Sequence, residues 1–124
     1  MPKRPKHCIP ILRVKDARAS IEYYAKTLGF GKDWEHQFEA GLPLFVSITR
    51  DASTLFLSEH EGDGTPNTHV YLYVGDVNSL YEELKARGAR IAKPPQMMPW
   101  GVQEMIVEDL DGNALRFGMD SEGD

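Results

Sequence analysis

Several kinds of residue and motif are scarce in this chain, and each scarcity narrows what the protein can be. Cys8 is its one cysteine, which excludes an intrachain disulfide and a thiolate metal cluster. No apolar run has the length of a membrane span or of a signal-peptide core, so a cytoplasmic protein is expected. Positive charge is the minority: Lys and Arg number 14 against 19 Asp and Glu, a formal charge of −5. Without a basic stripe, nucleic acid is excluded as a general partner. Lys3, Arg4 and Lys6 are interrupted by prolines and read as a solvated lead-in. Glycine-rich phosphate loops, nucleophile elbows and paired-cysteine motifs are absent as well, which removes the enzyme classes built on them.

What the chain does have is repetition. The stretch HVYLYVGDVNSLYEELKARG, residues 69–88, alternates at first, with Val70, Leu72 and Val74 on one face and His69, Tyr71 and Tyr73 on the other. It then places Val77, Leu80, Tyr81 and Leu84 at helical spacing, with Asp76 as N-cap and Gly88 as stop. Residues 12–28, LRVKDARASIEYYAKTL, can be laid over residues 72–88 with a constant offset of 60 residues, so that Leu12 meets Leu72, Val14 meets Val74, Asp16 meets Asp76 and Glu22 meets Glu82. An offset of nearly half of 124 residues divides the chain into two like modules, 7–60 and 67–118, of one domain.

In chain order, His7 to Val14 reads as a strand that Pro10 demotes to an edge or to exchange between subunits. A helix follows from Asp16 to about Thr27. Extended runs are expected at Lys32 to Glu39, Leu44 to Thr49 and Ser53 to Glu59. The polar segment HEGDGTPN, His60 to Asn67, links the halves. The second module repeats the order, with a poorly patterned region at Ala89 to Gln96. A loop follows at Met97 to Gly101, then strands at Val102 to Val107 and Ala114 to Gly118 around the turn DLDGN. The tail, Asp120 to Asp124, reads as disordered. Each half is βαβββ. The fold class is therefore α+β: two βαβββ modules forming curved mixed sheets around a cleft, with helices outside.

This pattern resembles the vicinal oxygen chelate superfamily, which includes glyoxalase I, extradiol dioxygenases and the bleomycin-resistance proteins. Its markers are VKD before the first helix, LGF after it, VGD before the second and DLDGN before the last strand. The enzymes of that superfamily carry one metal ligand on each of the first, fourth, fifth and eighth strands. Carried onto this sequence, those positions are Ile9, Phe56, His69 and Arg116. Isoleucine and phenylalanine have no lone pair to donate, and a guanidinium stays protonated. No metal site and no cofactor is expected. His7, Glu59 and His60 lie near these positions, but His7, of the same parity as Ile9, is about 6–7 Å further along an extended chain, and Glu59 has the opposite parity to Phe56. His69 has two readings: a donor to a backbone carbonyl, or one half of a polar pair with Arg116 that orients a ligand.

The cleft face then collects Ile9, Ile11, Phe56, His69, Tyr71, Tyr73 and Arg116, with Trp34, Phe38, Met97, Met98 and Trp100 near its rim. Aromatics and methionines of this kind fill cores as readily as they bind ligands. Trp100 differs, because it sits in a loop between Pro99 and Gly101 and can serve as a flat platform. Within the superfamily the text is similar to the bleomycin-resistance proteins at IPILRVKD, DWEHQF, LFLS and PWGVQE. That resemblance implies a non-catalytic homodimer that sequesters a cationic aromatic antibiotic in grooves at the subunit interface. It implies that Phe38 and Trp100 sandwich a flat bithiazole with Trp34 close by. Candidate partners for its cationic tail are Glu35, Glu39, Glu59, Glu61 and Asp63, each of which also reads as ordinary surface charge. The expected ligand-binding set is Trp34, Phe38, Phe56, His69, Tyr71, Trp100 and Arg116. Two alternatives stand beside it. One is an enzyme of the same fold, a lyase, isomerase or dioxygenase, with an unorthodox metal site or with His69 as general base. The other is a binder of a different aromatic metabolite.

Overall fold

The structure, a computed structural model, describes residues 8–120. The expected lead-in, His7 and the end of the tail lie outside those residues. The elements run β1 (Ile11–Arg13), α1 (Ala17–Lys26), β2 (Gly31–Gln37), β3 (Leu44–Arg50), β4 (Ser53–Ser58), β5 (His69–Tyr73), α2 (Val77–Ala86), β6 (Arg90–Met97), β7 (Val102–Glu108) and β8 (Ala114–Asp120). They make two four-stranded mixed sheets, ordered β1-β4-β3-β2 and β5-β8-β7-β6. The pairs β1–β4 and β5–β8 are parallel and the rest antiparallel.

Both helices start as the repeat requires. Asp16 accepts from the Ala19 amide, and Asp76 accepts from those of Asn78 and Ser79. Each satisfies donors that the first helical turn leaves without partners. The repeat extends to a second acceptor. Glu59 Oε2 takes the Ala17 amide at 2.7 Å, and Met119 Sδ takes that of Val77 at 3.2 Å. Glu59 also accepts from the Leu44 amide, so this carboxylate holds helix and strand together.

The core lies between the helices and the sheet faces turned toward them. Leu12, Val14, Val46, Ile48 and Leu57 bury there with Tyr24 and Leu28, and the second module contributes Leu72, Leu84, Met105, Val107, Leu115 and Phe117 to the same cluster. The alternation read at residues 69–74 is present in β5, where Leu72 is buried while His69, Tyr71 and Tyr73 are exposed.

The DLDGN turn joins the modules. Asp109 is fully buried and accepts from the Tyr24 hydroxyl, the Asn113 side chain and the amides of Asp111 and Asn113. Asn113 donates to Arg13 O and accepts from the Thr68 amide. A second clasp is Arg50, which folds over Gly29 to bond Leu28 O and both oxygens of Glu83 on α2. A Cβ at Gly29 would collide with that guanidinium, and its φ of +77° already favours glycine.

Two boundaries differ from the sequence reading. The first strand is Ile11–Arg13, with Pro10 O and the Val14 amide bonded to β4 at its ends; it extends no further back because Pro10 has no amide to donate. The region read as poorly patterned, Ala89 to Gln96, contains β6. Its pairing with β7 shifts register between Ile91 and Lys93 and again between Lys93 and Gln96. Pro94 and Pro95 fall in the second shift, at a sheet edge where missing amides cost no ladder bond, and the bulges erase the alternation that would have revealed the strand.

Candidate functional site

The faces turned away from the helices carry two side-chain clusters. On the first sheet, Trp34 stacks on Phe45 at 6.0 Å between ring centroids, and Phe56 lies 5.4 Å from Trp34 and 5.2 Å from Phe45. Trp34 reaches this face because β2 bulges at Asp33: Lys32 pairs with Ile48, but Trp34 pairs with Ser47. The bulged residue turns its carboxylate to the same face, where Asp33 Oδ2 accepts from Ser47 at 2.8 Å and Thr49 at 2.6 Å. Glu35 falls on the opposite face and pairs with Arg18 of α1 and with Lys32.

On the second sheet the organising residue is Glu104 of β7, only 4% exposed. Its Oε1 accepts from Arg116 Nη2 at 2.6 Å, and its Oε2 accepts from the Tyr71 hydroxyl at 2.8 Å. The Arg116 guanidinium lies 5.7 Å from the centre of the Tyr71 ring. Burial alone would raise the Glu104 carboxyl, but hydrogen bonds from Arg116 and Tyr71, with a contribution from the Trp100 indole, hold it below its ordinary value. Burial and the same bond push the Tyr71 hydroxyl up to about 12. The cluster therefore holds an ionised carboxylate, a guanidinium and a protonated phenol. Gly118 makes this geometry possible. A Cβ there would meet the Tyr71 hydroxyl and lie 2.7 Å from Cζ and 2.9 Å from Cε1, so the ring crosses the sheet over a bare backbone position.

The expected site residues thus divide. Trp34 and Phe56 share one cluster, and Tyr71, Arg116 and Trp100 share the other. Among the described residues no hydrogen bond, ion pair or aromatic pair joins the two. Phe38 is 81% exposed, with its ring 5.6 Å from His36. His69 is exposed at the start of β5, and the expected polar pair with Arg116 is replaced by Arg116–Glu104. Of the carboxylates read as candidates for a cation, Glu59 caps α1, Glu35 faces Arg18 and Asp63 accepts from Ser58. Glu39 and Glu61 are exposed. Phe45, Asp33 and Glu104 were missed. Glu104 lay inside the PWGVQE text, but one glutamate in a strand carries no sign that a tyrosine and an arginine from two other strands will converge on it. The sheets' β1 and β5 sides flank a cavity of about 240 Å³ lined by Ile9, Pro10, Thr54, Val70 and Tyr71 among others.

A family model described as glyoxalase superfamily protein matches residues 4–124. The chain belongs to the glyoxalase superfamily. Solved structures agree on the fold. A member of the glyoxalase/bleomycin resistance protein/dioxygenase superfamily from Sphaerobacter thermophilus superposes with a TM-score of 0.76 at 25% identity, covering 94% of this chain and 98% of that one. A bleomycin resistance determinant encoded on the transposon Tn5 gives 0.76 at 23% identity, with the same coverage. Glyoxalase I from Zea mays gives 0.72 at 20% identity, covering 89% of this chain and 43% of that longer one. Comparison with functionally curated sequences gives no match.

Of the positions expected from the resemblance to match metal ligands, Ile9, Phe56, His69 and Arg116, three do not suit a divalent cation. Ile9 and Phe56 offer no donor atom, and at Arg116 a guanidinium is already bonded to Glu104. Among the described residues no group of three His, Cys, Asp or Glu side chains could hold a metal. No helix of the described residues is long and apolar enough to cross a membrane.

Proposed function

We propose that this glyoxalase-superfamily chain sequesters a bleomycin-type glycopeptide antibiotic, a flat aromatic and cationic molecule, in grooves at a homodimer interface in the cytoplasm, without catalysis. The observation that carries the proposal is the Arg116–Glu104 ion pair on an open sheet face that also carries the exposed ring of Tyr71. Trp34 and Trp100 are 46% and 59% exposed, which is unusual for side chains whose burial is worth so much, and fits surfaces reserved for a ligand. Among the described residues no hydrogen bond, ion pair or aromatic pair joins the two clusters, which a dimer would account for. A second copy could set the Trp34–Phe45–Phe56 face of one module, 7–60, against the Tyr71–Glu104–Arg116 face of the other, 67–118, with Phe38 and Trp100 flanking the ligand and His69 at the rim. Sequestration would be stoichiometric, so protection would follow protein concentration and affinity.

A second reading, a binder of another aromatic metabolite, is favoured by one observation: Glu35, Glu59 and Asp63 are engaged within the fold. Asp33 likewise accepts from Ser47 and Thr49, so Glu39 and Glu61 are left to meet a cationic tail. The test is a titration of chelator-treated protein with metal-free bleomycin, followed by tryptophan fluorescence. Submicromolar saturation at one drug per chain, lost in Trp100→Ala, supports sequestration. Absence of binding, with a divalent metal recovered stoichiometrically from untreated protein, overturns it and puts the enzyme reading first.

A further inference from the structure

We infer that the Arg116–Glu104–Tyr71 cluster is a hydrogen-bond-donor site for an uncharged carbonyl or carboxamide oxygen of the ligand. This rests on the reading that the open sheet faces bind an aromatic molecule, and it names the polar group that molecule must carry.

Donor capacity is in excess at this point of the fold. A guanidinium has five N–H bonds, and Arg116 spends one on Glu104. Its Nε is buried without a partner, an uncommon state for a polar atom in a folded protein. Its Nη1 has no partner among the described residues and, unlike Nε, is not among the buried unsatisfied atoms. The side chain as a whole is 31% exposed. The unpaired Nη1 therefore belongs to a guanidinium that lies beside the Tyr71 ring and is bonded to the same carboxylate that Trp100 approaches. An aromatic group lying against those rings would carry a polar substituent to Nη1.

Charge selects the kind of acceptor. The carboxylate of Glu104 cancels the guanidinium, and Tyr71 keeps its proton, so the cluster has no net charge. A carboxylate or phosphate on the ligand would be set against Glu104 across one guanidinium, and like charges at that distance repel. A neutral oxygen accepts the same N–H bond without that opposition. Glu104 thus serves as a positioning residue: it fixes the guanidinium and lowers its appetite for anions.

The test uses three probes of similar shape, 2-naphthamide, 2-naphthoate and 2-isopropylnaphthalene, titrated calorimetrically into the full chain and followed by the NMR signals of the Trp100 indole N–H and the Arg116 Nε–H. The amide is expected to bind about tenfold more tightly than either other probe and to move both signals. Arg116→Met alone would strand a buried carboxylate and could unfold the chain. The informative variant is therefore Glu104→Gln with Arg116→Met, which removes both charges at similar volume. In it the three probes should bind within about threefold of one another. The inference is overturned if naphthoate binds as well as the amide, if the preference survives in the double variant, or if neither signal moves. Metal-free bleomycin titrated into the same proteins separates the two readings. Amide preference without bleomycin binding keeps this site and discards the drug, and bleomycin binding without amide preference does the reverse.

Discussion

The substitution Gly118→Ala isolates the least expected part of the second cluster. Tyr71 reaches Glu104 only by lying over Gly118, and an added Cβ would come within 2.9 Å of two ring carbons as well as meeting the hydroxyl. A ring edge is rigid and cannot yield as a flexible side-chain end would, so the phenol must swing away and release Glu104 Oε2. Hydrogen bonds to a charged group contribute about 1.5–3 kcal/mol, and the half-exposed position of Tyr71 favours the lower end. Alanine in a strand returns about 0.5–1 kcal/mol relative to glycine. The net expectation is a loss of about 0.5–1.5 kcal/mol, read as a lower urea midpoint at unchanged m-value. The decisive comparison is the same substitution in a Tyr71→Ala background. With no ring to displace, Gly118→Ala should be neutral or stabilising by about 0.5–1 kcal/mol. An equal cost in both backgrounds would mean that Gly118 is needed for its backbone alone, and the argument from Tyr71 would fail.

Three further outcomes can be measured. The Glu83 carboxyl is lowered chiefly by its hydrogen bonds from Arg50, so its contribution is complete above the ordinary value of 4.5 and is lost as pH falls through the lowered one. Glu83→Gln should cost about 0.5–1 kcal/mol at neutral pH, discounted for partial exposure, and the gap from the parent should close as a pH series descends below 4.5. Tyr71, raised to about 12 by burial and by Glu104, favours the fold fully below pH 10 and loses that contribution as pH climbs toward 12. Absorbance titration at alkaline pH should show one late-ionising tyrosine fewer in Tyr71→Phe. Asp109→Ala should cost about 3 kcal/mol or more by thermal denaturation, because it leaves buried donors from Tyr24, Asn113 and two amides without an acceptor.

Most of the architecture could be read from local signals. Asp16 and Asp76 announce helix starts because capping involves neighbours three residues away, and the alternation at residues 69–74 announces a strand because side-chain direction is set by the pleat. The strand at Arg90–Met97 escaped because two register shifts and a pair of prolines break the period on which such reading depends. For the same reason Trp34 is legible as an exposed aromatic, but its face is not: the bulge at Asp33 moved it to the side of Ser47 and sent Glu35 to that of Arg18.

The sequence by itself determined the repeat, the two βαβββ modules, the helix caps and the unsuitability of Ile9, Phe56 and Arg116 as metal ligands, since each follows from residue type and spacing along one chain. Only the tertiary structure decided what those residues do instead. Arg116 turned to Glu104 rather than to His69, and Glu59 turned to Ala17 and Leu44 rather than to a groove. Pairing between strands is set by register across the sheet and by the room that Gly118 leaves, and neither is written in the order of residues on any single strand.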